Sequence, residues 1–174
     1  MVACNTASAY ALETIEKEID VPIIGVIKPG AKTAARTSRN GKVGVIATDA
    51  TIGSGLYTDF IRSINPEIQV FGKACPLFVP LVEEGLTHDF VTEEIARRYL
   101  KELQEKEIDT LILGCTHYPL LRSLIGGVMG DSVQLVNPAY ETAVSLRRLL
   151  TEKGLLSDGL AAARGKIRVL CQRR

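Results

Sequence analysis

An excess of charge of either sign is missing from this sequence. Lys and Arg number 21 against 20 Asp and Glu, a formal net charge of +1 over 174 residues. That balance excludes a disordered acidic or basic tail protein and leaves no broad electrostatic footprint for nucleic acid. Long apolar runs are missing too. The longest stretches without Asp, Glu, Lys or Arg are Met1–Leu12 and Thr110–Leu121, each 12 residues. A bilayer span needs about 20 apolar residues, so no membrane partner is expected. The first basic residue is Lys17, so the opening carries no charged n-region of a secretory signal, and a cytoplasmic protein is expected. There is no fixed-period repeat and no strong low complexity. The four cysteines, at 4, 75, 115 and 171, contain no C-x-x-C. A disulfide scaffold is therefore not expected, and no metal is. The stretch Gly53-Ser54-Gly55 lacks the third glycine of a dinucleotide loop and has no strand directly before it, so it reads as a helix start or turn.

What is present supports a packed core: 46% of residues are hydrophobic and 24% charged. Short apolar runs alternate with helical patterns. Strands are expected at Val2–Cys4, Val21–Ile27, Lys42–Ala47, Glu67–Phe71, Thr110–Gly114, Gln134–Val136 and Lys166–Leu170. They are rich in Val, Ile and Leu and mostly do not alternate, as in strands buried on both faces of a parallel sheet. Helices are expected around Leu12, Ile15 and Ile19, over Thr51–Ile64, around Ile95–Leu103 with Thr92 as N-cap, and around Ala143–Leu150 stopped by Gly154. The fold class is α/β with open, doubly wound parallel sheets. Two breakers, Lys28-Pro29-Gly30 and Asn137-Pro138, suggest a division into 28–137 as one α/β domain and 1–27 plus 138–174 as a discontinuous other.

Two tripeptides occupy matched settings. Val2-Ala3 leads into Cys4-Asn5-Thr6 and a helical stripe, and Leu111-Ile112-Leu113-Gly114 leads into Cys115-Thr116-His117. Each cysteine falls where a strand ends and a helix begins. In open α/β sheets ligands bind outside the carboxyl ends of the strands. A helix start offers free N–H groups and a positive partial charge, which favour a thiolate and hold a carboxylate. Both positions therefore suit proton-transfer thiols and recognition of an acidic small molecule. A single cysteine there is more often a buried packing residue. The matched pair, each member followed by two hydrogen-bonding side chains, favours chemistry. A nucleophilic Cys-His pair fits Cys115 and His117 but leaves Cys4 unexplained. Cys75, before Pro76 in an apolar stretch, and Cys171 read as packing residues.

Other ionisable residues add less. His117 serves equally as an acid, a base, an anion donor or a structural imidazole. Glu83 follows the apolar run Pro76–Val82 and is expected to be half-buried, whereas Glu84 and His88 are expected at the surface. The tail Arg164–Arg174 carries five basic residues and no acidic one, a solvated edge rather than a nucleic-acid site.

These segments resemble those of the glutamate racemases, within the aspartate/glutamate racemase superfamily. Val2-Ala3-Cys4-Asn5-Thr6-Ala7-Ser8-Ala9 is similar to the first cysteine signature, and Gly114-Cys115-Thr116-His117-Tyr118-Pro119-Leu120-Leu121 to the second. Cys75–Glu83, Gly44–Thr48 and Ser54-Gly55 fit as well, and the likeness fades after about Asp158. The resemblance implies interconversion of L- and D-glutamate without a cofactor, supplying D-glutamate for peptidoglycan. It implies that Cys4 and Cys115 are the catalytic thiols, that His117 assists Cys115, and that Glu83 supports the histidine. Asn5, Thr6, Thr116 and His117 then bind substrate. The implied partner is small-molecule glutamate. Two other readings remain: a racemase of aspartate or another acidic amino acid, and a non-catalytic remnant that binds a metabolite.

Members of the superfamily carry an upstream region with an Asp-Ser motif and a Tyr-Gly substrate segment. Here Cys4 is preceded by three residues. The expectation is a fragment with its first domain truncated, weak or absent activity, and exposed sheet edges that favour a homodimer.

Overall fold

The apolar runs Lys42–Ala47, Thr110–Gly114 and Gln134–Val136 are strands with those bounds in a computed structural model that describes residues 1–156. In chain order the elements begin with α1 (Asn5–Tyr10), α2 (Leu12–Glu18), α3 (Ile27–Thr37), β1 (Lys42–Ala47), α4 (Asp49–Gly53), α5 (Leu56–Ile64) and β2 (Gln69–Ala74). They continue with α6 (Phe78–Glu83), α7 (Phe90–Glu105), β3 (Thr110–Gly114), a 3-10 turn (Tyr118–Leu121), α8 (Arg122–Met129), β4 (Gln134–Val136) and α9 (Pro138–Glu152). The four strands form one parallel sheet in the order β2-β1-β3-β4.

Successive residues of each strand face opposite layers, which is why the runs do not alternate with polar residues. Val43, Val45, Ile112 and Val136 join Ile27, Ala31 and Ala34 of α3 and Tyr57 and Ile61 of α5. Ile46, Leu111 and Leu113 face the other way, onto Phe78 and Val82 of α6, Leu100 and Leu103 of α7 and Ile125 of α8. The sheet is thus wound on both faces. Burial of each such aliphatic side chain contributes about 1.5–3 kcal/mol. Among the described residues, no helix is long and apolar enough to cross a membrane.

Several expectations need correction. The runs at Val2–Cys4 and Val21–Ile27 are not strands: they meet only through an isolated bridge between Val2 and Gly25, and Ile27 already begins α3. Pro29 lies in the first turn of α3, where its missing N–H is not needed, so Lys28-Pro29-Gly30 opens a helix. The strand expected at Glu67–Phe71 runs instead over Gln69–Ala74, in register with β1 from Lys42↔Gln69 to Ala47↔Ala74. The helix expected over Thr51–Ile64 is split into α4 and α5 at Gly55, whose φ of 71° is left-handed. Asp89, rather than Thr92, caps α7, its side chain accepting from Val91 N at 2.8 Å. Thr92 is buried in the first turn and donates to Leu86 O. Ile19 of the expected α2 stripe is exposed, and α2 buries no residue. The expected strand Lys166–Leu170, the basic tail and Cys171 lie outside the described residues.

The chain leaves β1 toward β2 on one side, then returns to place β3 on the other side of β1 and β4 beyond it. The order therefore reverses between β1 and β3. Their carboxyl ends, Ala47-Thr48 and Gly114-Cys115, frame the crevice where such sheets bind ligands.

Candidate active site

One side of the crevice is the start of α1. Val2 N donates to Ile24 O at 2.8 Å, and Ser8 Oγ links Val2 O to Val26 N, so the leading residues are tied to the segment before α3. Cys4 is the N-cap of α1, with extended backbone and Sγ accepting from Ala7 N at 3.5 Å. Its thiol is exposed. Asn5 is buried, and its Oδ1 accepts from Tyr57 Oη at 2.6 Å. Thr6 Oγ1 lies 3.0 Å from both Thr48 Oγ1 and Thr51 Oγ1, and these two are 3.1 Å apart. This hydroxyl triangle fastens α1 to the turn after β1, where Thr48 also caps α4.

The other side is the end of β3. Cys115 is 8% exposed. Burial pushes its thiol above the ordinary range. Hydrogen bonding from the His117 N–H, the Thr116 hydroxyl and the Thr116 N–H acts in the opposite direction, while negative charge on Cys4 pushes it further up. Tyr118 anchors the loop: it is fully buried, donates to Cys75 O at 2.8 Å and meets Phe78 edge to face at 5.2 Å between ring centres. The Phe78 contact also draws α6, and with it Glu83, to the loop.

His117 bridges these groups. Its Nε2 lies 2.5 Å from Glu83 Oε1, its Nδ1 3.1 Å from Thr116 Oγ1 and 3.9 Å from Cys115 Sγ. A carboxylate only accepts, so Nε2 carries a proton and donates to Glu83, leaving Nδ1 as the nitrogen that faces Cys115 and Thr116. The expectation that Glu83 is half-buried is corrected: its side chain is 66% exposed, because it ends a one-and-a-half-turn helix whose apolar face, Phe78 and Val82, points the other way.

Of the seven residues singled out from the sequence, Cys115, Thr116, His117 and Glu83 are brought together at the end of β3, and Cys4, Asn5 and Thr6 sit together at the start of α1. Cys75 is buried and packs beneath it, and His88 and Glu84 are exposed. Sequence reasoning missed Tyr57 and the roles of Thr48 and Thr51. Tyr57 carries a signal in retrospect: it shares the buried face of α5 with Ile61, four residues on, and a hydroxyl in an apolar stripe needs a partner. Among the described residues, no group of three or more His, Cys, Asp or Glu side chains is gathered for a metal.

A doubly wound α/β fold with one cysteine opening α1 and another ending β3, the latter beside a His–carboxylate pair, defines a class of two-cysteine α/β proteins. Within that class, the profile of the Asp/Glu/Hydantoin racemase family matches residues 1–146, and the chain belongs to that family. It is 52% identical over 156 residues to a glutamate racemase of Geobacter metallireducens, covering 90% of this chain and 58% of that protein. The crystal structure of a glutamate racemase isoform from Bacillus anthracis superposes with a TM-score of 0.87 at 39% identity, covering 92% of this chain and 62% of that one. A Francisella tularensis glutamate racemase, solved in complex with D-glutamate, superposes with a TM-score of 0.82 at 38% identity, covering 89% and 57%. The chain therefore spans about three fifths of the length of these relatives.

Proposed function

We propose that the chain carries the paired-thiol site of a glutamate racemase, an isomerase that interconverts L- and D-glutamate and supplies the D form for peptidoglycan. The observation that carries this reading is geometric: Asn5, next to Cys4, accepts from Tyr57, whose ring lies against Gly114, next to Cys115. Inversion at Cα needs a base on one face and an acid on the other. One cysteine, as thiolate, takes the α-proton: the Cα–H bond breaks and an S–H bond forms. The opposing thiol gives its proton to the other face of Cα and becomes the thiolate. The reverse reaction exchanges the roles. His117 Nδ1, 3.9 Å from Cys115 Sγ, exchanges that thiol's proton, and Glu83 holds the imidazole in place. The side chains of Asn5, Thr6, Thr116 and His117 recognise the substrate's polar groups. The N–H groups after Cys4 and Cys115 stabilise charge developing in the carbanion-like state. The glutamate complexes of the structural relatives support this choice of substrate.

The test is deuterium wash-in at Cα. Purified chain is incubated with L- or D-glutamate in D2O and the products are separated chirally. Isotope exchange is a more sensitive readout than bulk rotation. Exchange with both enantiomers is expected, lost on Cys4→Ser and on Cys115→Ser. No exchange in the unmodified chain, or exchange that survives both substitutions, overturns the proposal. Aspartate run in parallel reads the specificity. The same reading keeps 28–137 as one domain and assigns 1–27 with 138–174 to another, supported by the confinement of the sheet to residues 42–136. It also takes the protein as cytoplasmic and homodimeric, the latter checked by sedimentation equilibrium.

A further inference from the structure

Tyr57 touches both halves of the crevice. Its hydroxyl donates to Asn5 Oδ1, 52 positions away, immediately after Cys4. Its ring edge lies against Gly114, immediately before Cys115: a Cβ built on Gly114 would stand 3.3 Å from Tyr57 Cε2. Tyr57 is 4% exposed and Asn5 5% exposed, so the bond between them is shielded from water. A buried hydroxyl left without a partner is costly, and phenylalanine would fill the same apolar space without that demand. The hydroxyl therefore does something the core does not require. Holding Oδ1 fixes which way the Asn5 amide faces, because the group is planar and its oxygen is committed to α5. The ring sets how closely the end of β3 approaches the same point.

We propose that Tyr57 is a positioning residue that orients the Asn5 amide toward the substrate and sets the spacing between the Cys4 and Cys115 sides of the crevice. The inference rests on the glutamate reading of this site and deepens it. Burial keeps the Tyr57 phenol protonated far above its ordinary range, and charge on Cys115 adds to this, so the hydroxyl is a donor throughout the working pH range.

The experiment is a double-mutant cycle on Tyr57→Phe and Asn5→Ala in the full chain, read by deuterium exchange kinetics and by the Asn5 side-chain amide resonances. Tyr57→Phe keeps the ring and its packing. It is expected to raise KM for glutamate roughly tenfold, the loss of one well-placed polar contact, with a smaller fall in kcat. In the Asn5→Ala background the same change is expected to move KM less than about twofold, because the residue through which it acts is gone. The resolved pair of Asn5 amide proton signals is expected to broaden or merge in Tyr57→Phe. An unchanged KM and unchanged amide signals overturn the proposal, as does a Tyr57→Phe effect that is fully additive with Asn5→Ala, which marks a purely structural role. A wild-type chain that neither binds nor exchanges glutamate instead overturns the substrate reading on which it rests.

Discussion

At His117 three contacts of different strength meet. The Nε2 contact with Glu83 is short, but the carboxylate is 66% exposed. A solvent-exposed contact to a carboxylate is worth about 1 kcal/mol or less, so Glu83→Gln, which retains an acceptor, is expected to slow exchange by no more than about fivefold. Removing the ring is a different loss. Proton transfer by a positioned side chain contributes about a hundredfold or more, so His117→Ala is expected to slow exchange by at least about 100-fold. Exchange rates for the two variants under identical conditions check this ordering, and a Glu83→Gln effect as large as the His117→Ala effect would reverse it. The site was legible at this scale because Cys4-Asn5-Thr6 and Cys115-Thr116-His117 are contiguous and follow apolar runs. Tyr57, Thr48 and Thr51 were not, because their roles lie in partners dozens of positions away. Glu83 illustrates the limit from the other side. Its pairing with His117 entered through the resemblance and not through spacing, since it depends on Phe78 packing against Tyr118, and its exposure follows from a helix face that a run of apolar letters does not reveal.

At the scale of elements, β3 delivers Cys115 through a backbone crossing that admits no side chain at Gly114. A Cβ there would stand 2.8 Å from Ile46 O and 3.1 Å from Ala47 Cβ, both on the neighbouring strand. Backbone cannot swing aside as a flexible side chain does. Gly114→Ala is therefore expected to force β1 and β3 apart at their carboxyl ends, destabilising the fold by about 1–3 kcal/mol and abolishing exchange. Gly53, at the end of α4, is the matched control: a Cβ there meets nothing within 4 Å, and φ is not left-handed. Gly53→Ala is expected to be neutral or to stabilise by up to about 1 kcal/mol. Urea melts of the two variants against the parent chain check the contrast. The same packing explains which elements could be read in advance. Lys42–Ala47 and Thr110–Gly114 lie in the middle of the sheet with helices on both faces, so after their first residues they are apolar throughout and their bounds come out unambiguously. β2 is an edge strand carrying Lys73 paired to Glu102, and its mixed composition shifted the expected bounds by two to three residues. Val21–Ile27 is equally rich in β-branched residues, yet it has one bridging partner and no ladder, so propensity had nothing to pair with.

For the whole molecule, the protons that matter are buried ones, since the formal net charge is only +1. Cys75 is pushed up from 9.0 to about 12, mainly by burial. Cys115 is raised as well, and so are the phenols of Tyr57 and Tyr118, all chiefly by burial. Each of these groups keeps its proton in the folded state at a pH where the unfolded chain has lost it. Below about pH 9 both states hold the Cys75 proton and its contribution is complete. Above that the unfolded chain binds fewer protons, so stability falls with rising pH, by about 1.4 kcal/mol per pH unit for each such group. The loss from Cys75 ends only near its folded value of about 12. The tyrosines join above their ordinary 10.0, steepening the decline. The protein is therefore expected to unfold cooperatively on the alkaline side. Cys75→Ala isolates one share of this. Its smaller side chain lowers stability at every pH by a constant amount, but between about pH 9.5 and about pH 10.5 the variant is expected to lose roughly 1 kcal/mol less than the parent. Urea denaturation at those two pH values measures the difference, and equal slopes in the two proteins would place the alkaline weakness elsewhere than in the thiol beneath the crevice.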